Sequence, residues 1–433
     1  MSTIEYLKKG IRTVSNEKKI NILTKGIDVA EIDHYIDHIF TRFSRKQFFN
    51  NADGFNCIFM YTLIQASLKR PEEILNNLER HATNLPELIK YIVAGMNEET
   101  RFSSEIDASL KESIASITER KAIDVIDALC TQVKIEAFDV EAFGSCIYTK
   151  INHGYWEFLL NSLCSNEQIE SMGVRNLKGQ GYPDSWRKSG FHNLLTYLLL
   201  HNFNSKSVKL GLSTTAGEDD FLDGLRREIT TVSNGAARGI SSVLSLMELN
   251  STTFVNGSVP RDLLKYQKLT AFFRGEISRN PDNIIVIVPP HLKGIRFKEY
   301  EGKLNILVVP GQTAHEFHLS ALFTVLGFLE EVLSTSKNAL IIVQAAVLAP
   351  AIAILLDTIK ERFPALESVR FFDLGRVLDA ANPSILEKWP STKFYSKTED
   401  FLNLKNIVDC DPERKIAVSG TYFCSREKNN GDC

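Results

Sequence analysis

The stretch Asn283-Ile-Ile-Val-Ile-Val-Pro-Pro290 decides the fold. Successive side chains of a strand point to opposite faces, so an unbroken aliphatic run leaves no face for water. A run of this kind stopped by turn residues is a strand buried on both sides, as in a parallel sheet covered by helices. The pattern recurs in Leu304-Asn-Ile-Leu-Val-Val-Pro310, in Leu340-Ile-Ile-Val343 before Gln344-Ala-Ala346, and in Val369-Arg-Phe-Phe-Asp-Leu-Gly375. Helical spacing over 260–277, 314–334 and 347–362 fills the intervals, and a short helix is expected over 376–381. Successive strand, turn and helix units predict an open, Rossmann-like, largely parallel α/β sheet.

Upstream the same alternation continues. Cys146 to Ile151 is rich in β-formers, Asn152-His153-Gly154 can turn, and Tyr155-Trp-Glu-Phe-Leu-Leu160 begins an amphipathic helix. The polar loop 173–186 carries Arg175, Lys178, Tyr182 and Trp186 among three glycines and a proline. A helix over 187–201, strand Val208–Ser213, helix 219–232 and a short strand at Ser251–Asn256 follow. Residues 1–133 instead show helical spacing with almost no strand signal, as in Ile32, Tyr35, Ile36, Ile39 and Phe40. The expected organisation is an all-α domain over 1–133, the α/β domain over 134–390, and an irregular tail over 391–433.

Composition bounds the function. The formal net charge of −3 gives no overall electrostatic case for a nucleic-acid partner. No apolar run suits a membrane span, and the N-terminus lacks a secretory signal pattern. Seven scattered cysteines without a CxxC pair argue against a zinc ribbon or a disulfide framework. A cytoplasmic setting is expected. Histidines 34 and 38 share a helical face, but no third ligand accompanies them, and His315-Glu-Phe-His318 reads as a helix start. The chain has no GxxxxGK[ST], no GxGxxG after a strand, no GxSxG and no HExxH.

What remains is a set of strand ends with polar or ionisable residues, where open α/β sheets bind ligands. They carry Lys150, Asn152 and His153, with Glu157 in the helix that follows. They also carry Pro290 and Lys293, then Gln344 before a helix whose free N–H groups suit a phosphate, and then Asp373. Asp373 is equally readable as a cap of the helix at 376–381, the capping reading is favoured for Asp379, and packing under their loop is the favoured plain reading of Tyr182 and Trp186.

The order of these units resembles the GT-D class of bacterial glycosyltransferases over roughly residues 140–385. That family opens its domain with a strand ending in Arg-x-Gly-Asp-Gly-Glu and closes it with a strand ending in Asp-x-Gly. Here the corresponding elements are Lys150-Ile-Asn-His-Gly-Tyr155, Val288-Pro-Pro290, Val309-Pro310, Gln344-Ala-Ala346 and Asp373-Leu-Gly375. The first element departs: the family's metal- and donor-serving Asp and Glu fall on His153 and Tyr155, and Glu157 lies two residues beyond. The resemblance implies a nucleotide-sugar donor, a polysaccharide or glycoprotein acceptor, and a divalent cation (Mn²⁺ or Mg²⁺) as cofactor if the altered motif still serves one. In that reading Lys150, Arg175, Lys178 and Lys293 meet the departing diphosphate. His153 or Glu157 acts as the base, and Tyr182 and Trp186 stack on a ring.

Two other readings stand beside it. One is a non-catalytic adaptor on a degenerate nucleotide-sugar domain, with a protein partner for the N-terminal helices. The other is a different nucleotide-dependent enzyme on the same fold.

Overall fold

The computed structural model describes residues 109, 111–132, 147–151, 153–174, 208–213, 221–232, 235–245, 254–309, 335–360, 368–382, 399–411 and 420–421, with six helical positions between 322 and 333. Most of the expected all-α domain therefore lies outside the described residues, as do Asn152, Arg175, Lys178, Tyr182, Trp186 and the histidines at 34, 38, 315 and 318.

The first labelled helix is α1 (Glu119–Gln132). Strand β1 (Ile147–Ile151) runs through the single residue Asn152 into α2 (His153–Leu163), and α3 (Asn166–Ser171) follows. Then come β2 (Val208–Leu212), α4 (Phe221–Val232), α5 (Gly235–Ser245), β3 (Phe254–Asn256), α6 (Val259–Lys265) and α7 (Leu269–Ser278). Strand β4 (Asn283–Val288) ends in a 3-10 turn (Pro290–Leu292), followed by β5 (Ile295–Phe297), β6 (Lys303–Val308) and β7 (Ala339–Val343). Next are α8 (Leu348–Lys360), β8 (Arg370–Asp373), a 3-10 helix (Gly375–Ala381), α9 (Glu399–Ile407), β9 (Val408–Cys410) and β10 (Gly420–Thr421).

Eight strands form one sheet in the order β10-β6-β4-β7-β8-β1-β2-β3, and every neighbouring pair is parallel. Burial explains why. Every residue of β4 and β7 is buried, as their aliphatic runs require. Ile284, Val286 and Val288 join one apolar cluster with residues of α6, α7, α9, β5, β9 and the 3-10 helix. None of the buried residues of α2 or α8 belongs to that cluster. Those helices cover the other face, α2 against β1 and α8 against β1, β2 and β8.

Three features differ from the sequence expectation. The predicted helix 260–277 is broken, because Gln267 takes a left-handed backbone (φ 56°) and the Lys268 N–H bonds back to the Leu263 carbonyl at 2.8 Å. That is a Schellman-type helix end with glutamine where glycine is usual. The expected irregular tail instead supplies α9, then β9 in an antiparallel ribbon with β5, then β10 at the sheet edge. Helix α1, at the end of the expected all-α domain, packs on α4 and α5, with an Asp127–Arg226 ion pair of 3.2 Å. No described helix is long and apolar enough to cross a membrane.

Candidate functional site

The sheet order creates two crevices at the carboxyl ends of the strands. From β4 the chain leaves towards β6, and from β7 it leaves through α8 in the opposite direction to β8. The two connections also lie on opposite faces, so the strand ends part between them. The same holds for β8, whose 3-10 helix lies on the β4-connection face, and β1, whose helix α2 lies on the other. Such switch points are where doubly wound sheets bind ligands.

At the β8/β1 crevice, Asp373 is 4% exposed and collects three hydrogen bonds. The Thr149 hydroxyl and the Lys150 N–H each donate to Oδ2 at 3.3 Å, and the Gly375 N–H donates to Oδ1 at 3.0 Å. Burial pushes the Asp373 carboxyl above its ordinary range, although the Lys150 ammonium and these bonds pull it down. The bond to Gly375 closes an Asx turn, and the 3-10 helix that follows takes Leu374 as its N-cap without a side-chain cap bond. Glycine at 375 suits both the backbone and the neighbouring lysine. Its φ is +51°, and a Cβ there would stand 2.5 Å from the Lys150 Nζ.

At the β4/β7 crevice a second network forms. His291 Nε2 lies 2.9 Å from Asp379 Oδ1, Gln344 Nε2 donates to the same oxygen at 2.6 Å, and Arg376 Nε donates to Oδ2 at 3.2 Å. Burial raises the Asp379 carboxyl, but bonds from His291, Gln344 and Arg376 outweigh it and hold the group below its ordinary range. Asp379 is thus the hub joining three segments of chain. Asn382, itself buried, grips the His291 carbonyl through Nδ2 at 2.7 Å. Gln344 Oε1 is buried with no hydrogen-bond partner, an expensive state for an amide oxygen.

The amino edge of the sheet is different in kind. Arg370 and Glu276 pair at 2.6 Å with both side chains 4% exposed, Asn283 bridges Ser336 and Asn305, and Asp282 accepts the N–H groups of Lys337 and Asn338. These groups satisfy one another and tie α7 and the strand starts together.

Of the sequence-derived site residues, Lys150 and Asp373 meet at one crevice, and Gln344, Pro290 and Lys293 stand at the other. The helix after Gln344 is a poorer anion site than its position promises. The Leu348 and Ala349 N–H groups already bond to the Ala345 and Ala346 carbonyls, and Pro350 has no N–H. Glu157 lies one turn inside α2, half-buried, with its carbonyl bonded by Asn161 Nδ2 at 2.8 Å. His153 is the first residue of α2. Tyr155 is 2% exposed, and burial lifts its phenol well above the ordinary range. Sequence reasoning missed His291, Arg376 and Thr149, and it misread Asp379 as a cap.

The described residues show no ready-made site for a divalent cation. A buried tyrosine cannot replace the carboxylate that the GT-D resemblance places at 155, and no trio of His, Cys, Asp or Glu among the described residues can hold a metal. No family model matches the chain, and no match was found among curated proteins or solved structures.

Proposed function

We propose that the chain is a glycosyltransferase that moves a sugar from a nucleotide-sugar donor to a carbohydrate or glycoprotein acceptor. The observation that carries this reading is the concentration of buried, hydrogen-bonded ionisable groups at two adjacent switch points of a parallel sheet. Buried ionisable groups with perturbed carboxyls collect at ligand sites. The strand ends by themselves suit a phosphate- or nucleotide-sized ligand, and the resemblance to the GT-D class, closing in Asp373-Leu-Gly375, implies a nucleotide-sugar.

In this reading the donor lies across the ends of β8 and β1. Lys150 offers its ammonium to the diphosphate, on which charge grows as the glycosidic bond breaks. That ammonium lies within electrostatic reach of Asp373, and Gly375 leaves it room.

The test is incubation with UDP-, GDP-, CMP- and dTDP-sugars, with and without Mn²⁺, followed by melting and by release of free nucleotide. One donor class should raise the melting temperature and turn over slowly with water as acceptor. If none does either, the transferase reading fails.

One observation favours a second reading, an adaptor that no longer catalyses: the buried Tyr155 stands where the resemblance places a working carboxylate. An adaptor would leave the whole donor panel untouched.

A further inference from the structure

We propose that His291, held by Asp379, takes the proton of the acceptor hydroxyl during sugar transfer. The assignment rests on the transferase reading and names a group which that reading leaves open.

A hydroxyl that attacks an anomeric carbon must lose its proton as the new bond forms, and a positioned base accelerates that step by roughly 10²–10⁴-fold. The base needs a lone pair not used within the protein and a fixed orientation. His291 has both. Its Nε2 lies 2.9 Å from Asp379 Oδ1. Asp379 is 3% exposed on its side chain and receives two further donors, so it stands there as an acceptor-only carboxylate. An acceptor-only partner assigns the proton to Nε2 and leaves the lone pair on Nδ1. No described residue hydrogen-bonds Nδ1, and the His291 side chain is 33% exposed. The backbone is fixed too, because Asn382 Nδ2 donates to the His291 carbonyl at 2.7 Å. Ring, tautomer and main chain are all set before a substrate arrives, as second-group support of a catalytic imidazole requires.

A purely structural tie would not call for this arrangement. Gln344 and Arg376 would already satisfy a buried Asp379. Adding a part-exposed imidazole at the mouth of a switch-point crevice serves a partner outside the protein. The place also suits the chemistry. Strands β4 and β1 are three positions apart, so the strand ends that carry His291 and Lys150 stand ~14 Å apart along the same edge of the sheet.

The step balances as follows. The acceptor oxygen bonds to the anomeric carbon and its proton passes to Nδ1 of His291. The bond from that carbon to the phosphate oxygen breaks, and its electron pair leaves on the nucleoside diphosphate. Asp379 remains an anion and stabilises the imidazolium until its proton returns to water.

The experiment uses the full chain and the nucleotide-sugar selected from the donor panel, with water as acceptor. It measures kcat, KM and donor Kd for the wild type, His291→Ala, His291→Gln and Asp379→Asn, with and without added imidazole. His291→Gln keeps an N–H for Asp379 and guards against a variant that simply fails to fold. The expected result is a fall in kcat of about 10²–10⁴-fold in both His291 variants with donor Kd within about threefold. Imidazole should restore part of the rate in His291→Ala and none in the wild type, and Asp379→Asn should lower kcat at unchanged Kd. Retention of kcat within about threefold in His291→Gln would overturn the assignment while leaving the transferase reading intact. Parallel loss of donor binding and rate in His291→Gln, without rescue of His291→Ala, would make His291 structural and also overturn it. Absence of turnover by the wild type across the whole panel would overturn both.

Discussion

Asp373 and Asp379 are both almost buried, yet their surroundings push their carboxyls in opposite directions. For Asp379 the folded value is depressed, so its stabilising effect is present above the ordinary carboxylate range and is lost as pH falls through the folded value. For Asp373 the folded value is raised. Its contribution is fully present when the group is protonated, below the ordinary range, and is lost as pH rises through the folded value. At neutral pH Asp373 therefore carries a charge that the fold disfavours. Asp373→Asn should raise the melting temperature at pH 7, by about 2–4 °C for each kcal/mol recovered. The gain should vanish towards pH ~4, and donor affinity should fall throughout. Calorimetric melts at the two pH values check it, and equal destabilisation at both would show that Asp373 is only a cap. Gly375→Ala should cost about 1–2 kcal/mol for the left-handed backbone. It should also weaken donor binding, because the new methyl displaces the Lys150 ammonium. Unchanged affinity in a destabilised Gly375→Ala would detach Lys150 from the site.

Among the elements, legibility followed burial. Strands β4, β6, β7 and β8 were readable because both of their faces are covered, so a continuous aliphatic run admits no other structure of that length. Strands β5, β9 and β10 are two or three residues long and take their conformation from their partners, so no periodicity announces them. The break between α6 and α7 was hidden for a related reason. Glycine marks such an end in most helices, and here Gln267 adopts the same left-handed conformation. Gln267→Gly should therefore stabilise the protein by about 1 kcal/mol, seen as a higher denaturant midpoint at constant slope. A lower midpoint would mean that the glutamine side chain, rather than the turn, holds the two helices. The candidate site was half legible. Lys150, Gln344 and Asp373 stand at the ends of recognisable strands, whereas no spacing rule links His291 to Asp379, 88 residues on. Only the 3-10 helix after β8, folded back across the end of β7, brings that carboxylate to Gln344 and His291.

On the scale of the molecule, eight parallel strands with satisfied polar networks at the amino edge gather a second set of buried ionisable groups, with the unpartnered Gln344 amide oxygen among them, at the carboxyl edge. The fold class was fixed by a handful of aliphatic runs. The chemistry was not, because Asn152-His153-Gly154-Tyr155 at the end of β1 carries no motif that announces one reaction, and its tyrosine is buried. The central claim is that the crevices at this edge bind a nucleotide-sugar through Lys150. Isothermal titration of the full chain with the four nucleotide-sugar classes, beside Lys150→Ala, tests it most directly. The account predicts saturable binding of one class and a loss of about tenfold or more in Lys150→Ala, the worth of one charged hydrogen bond to phosphate. No binding by any class, or equal affinity in Lys150→Ala, would contradict it.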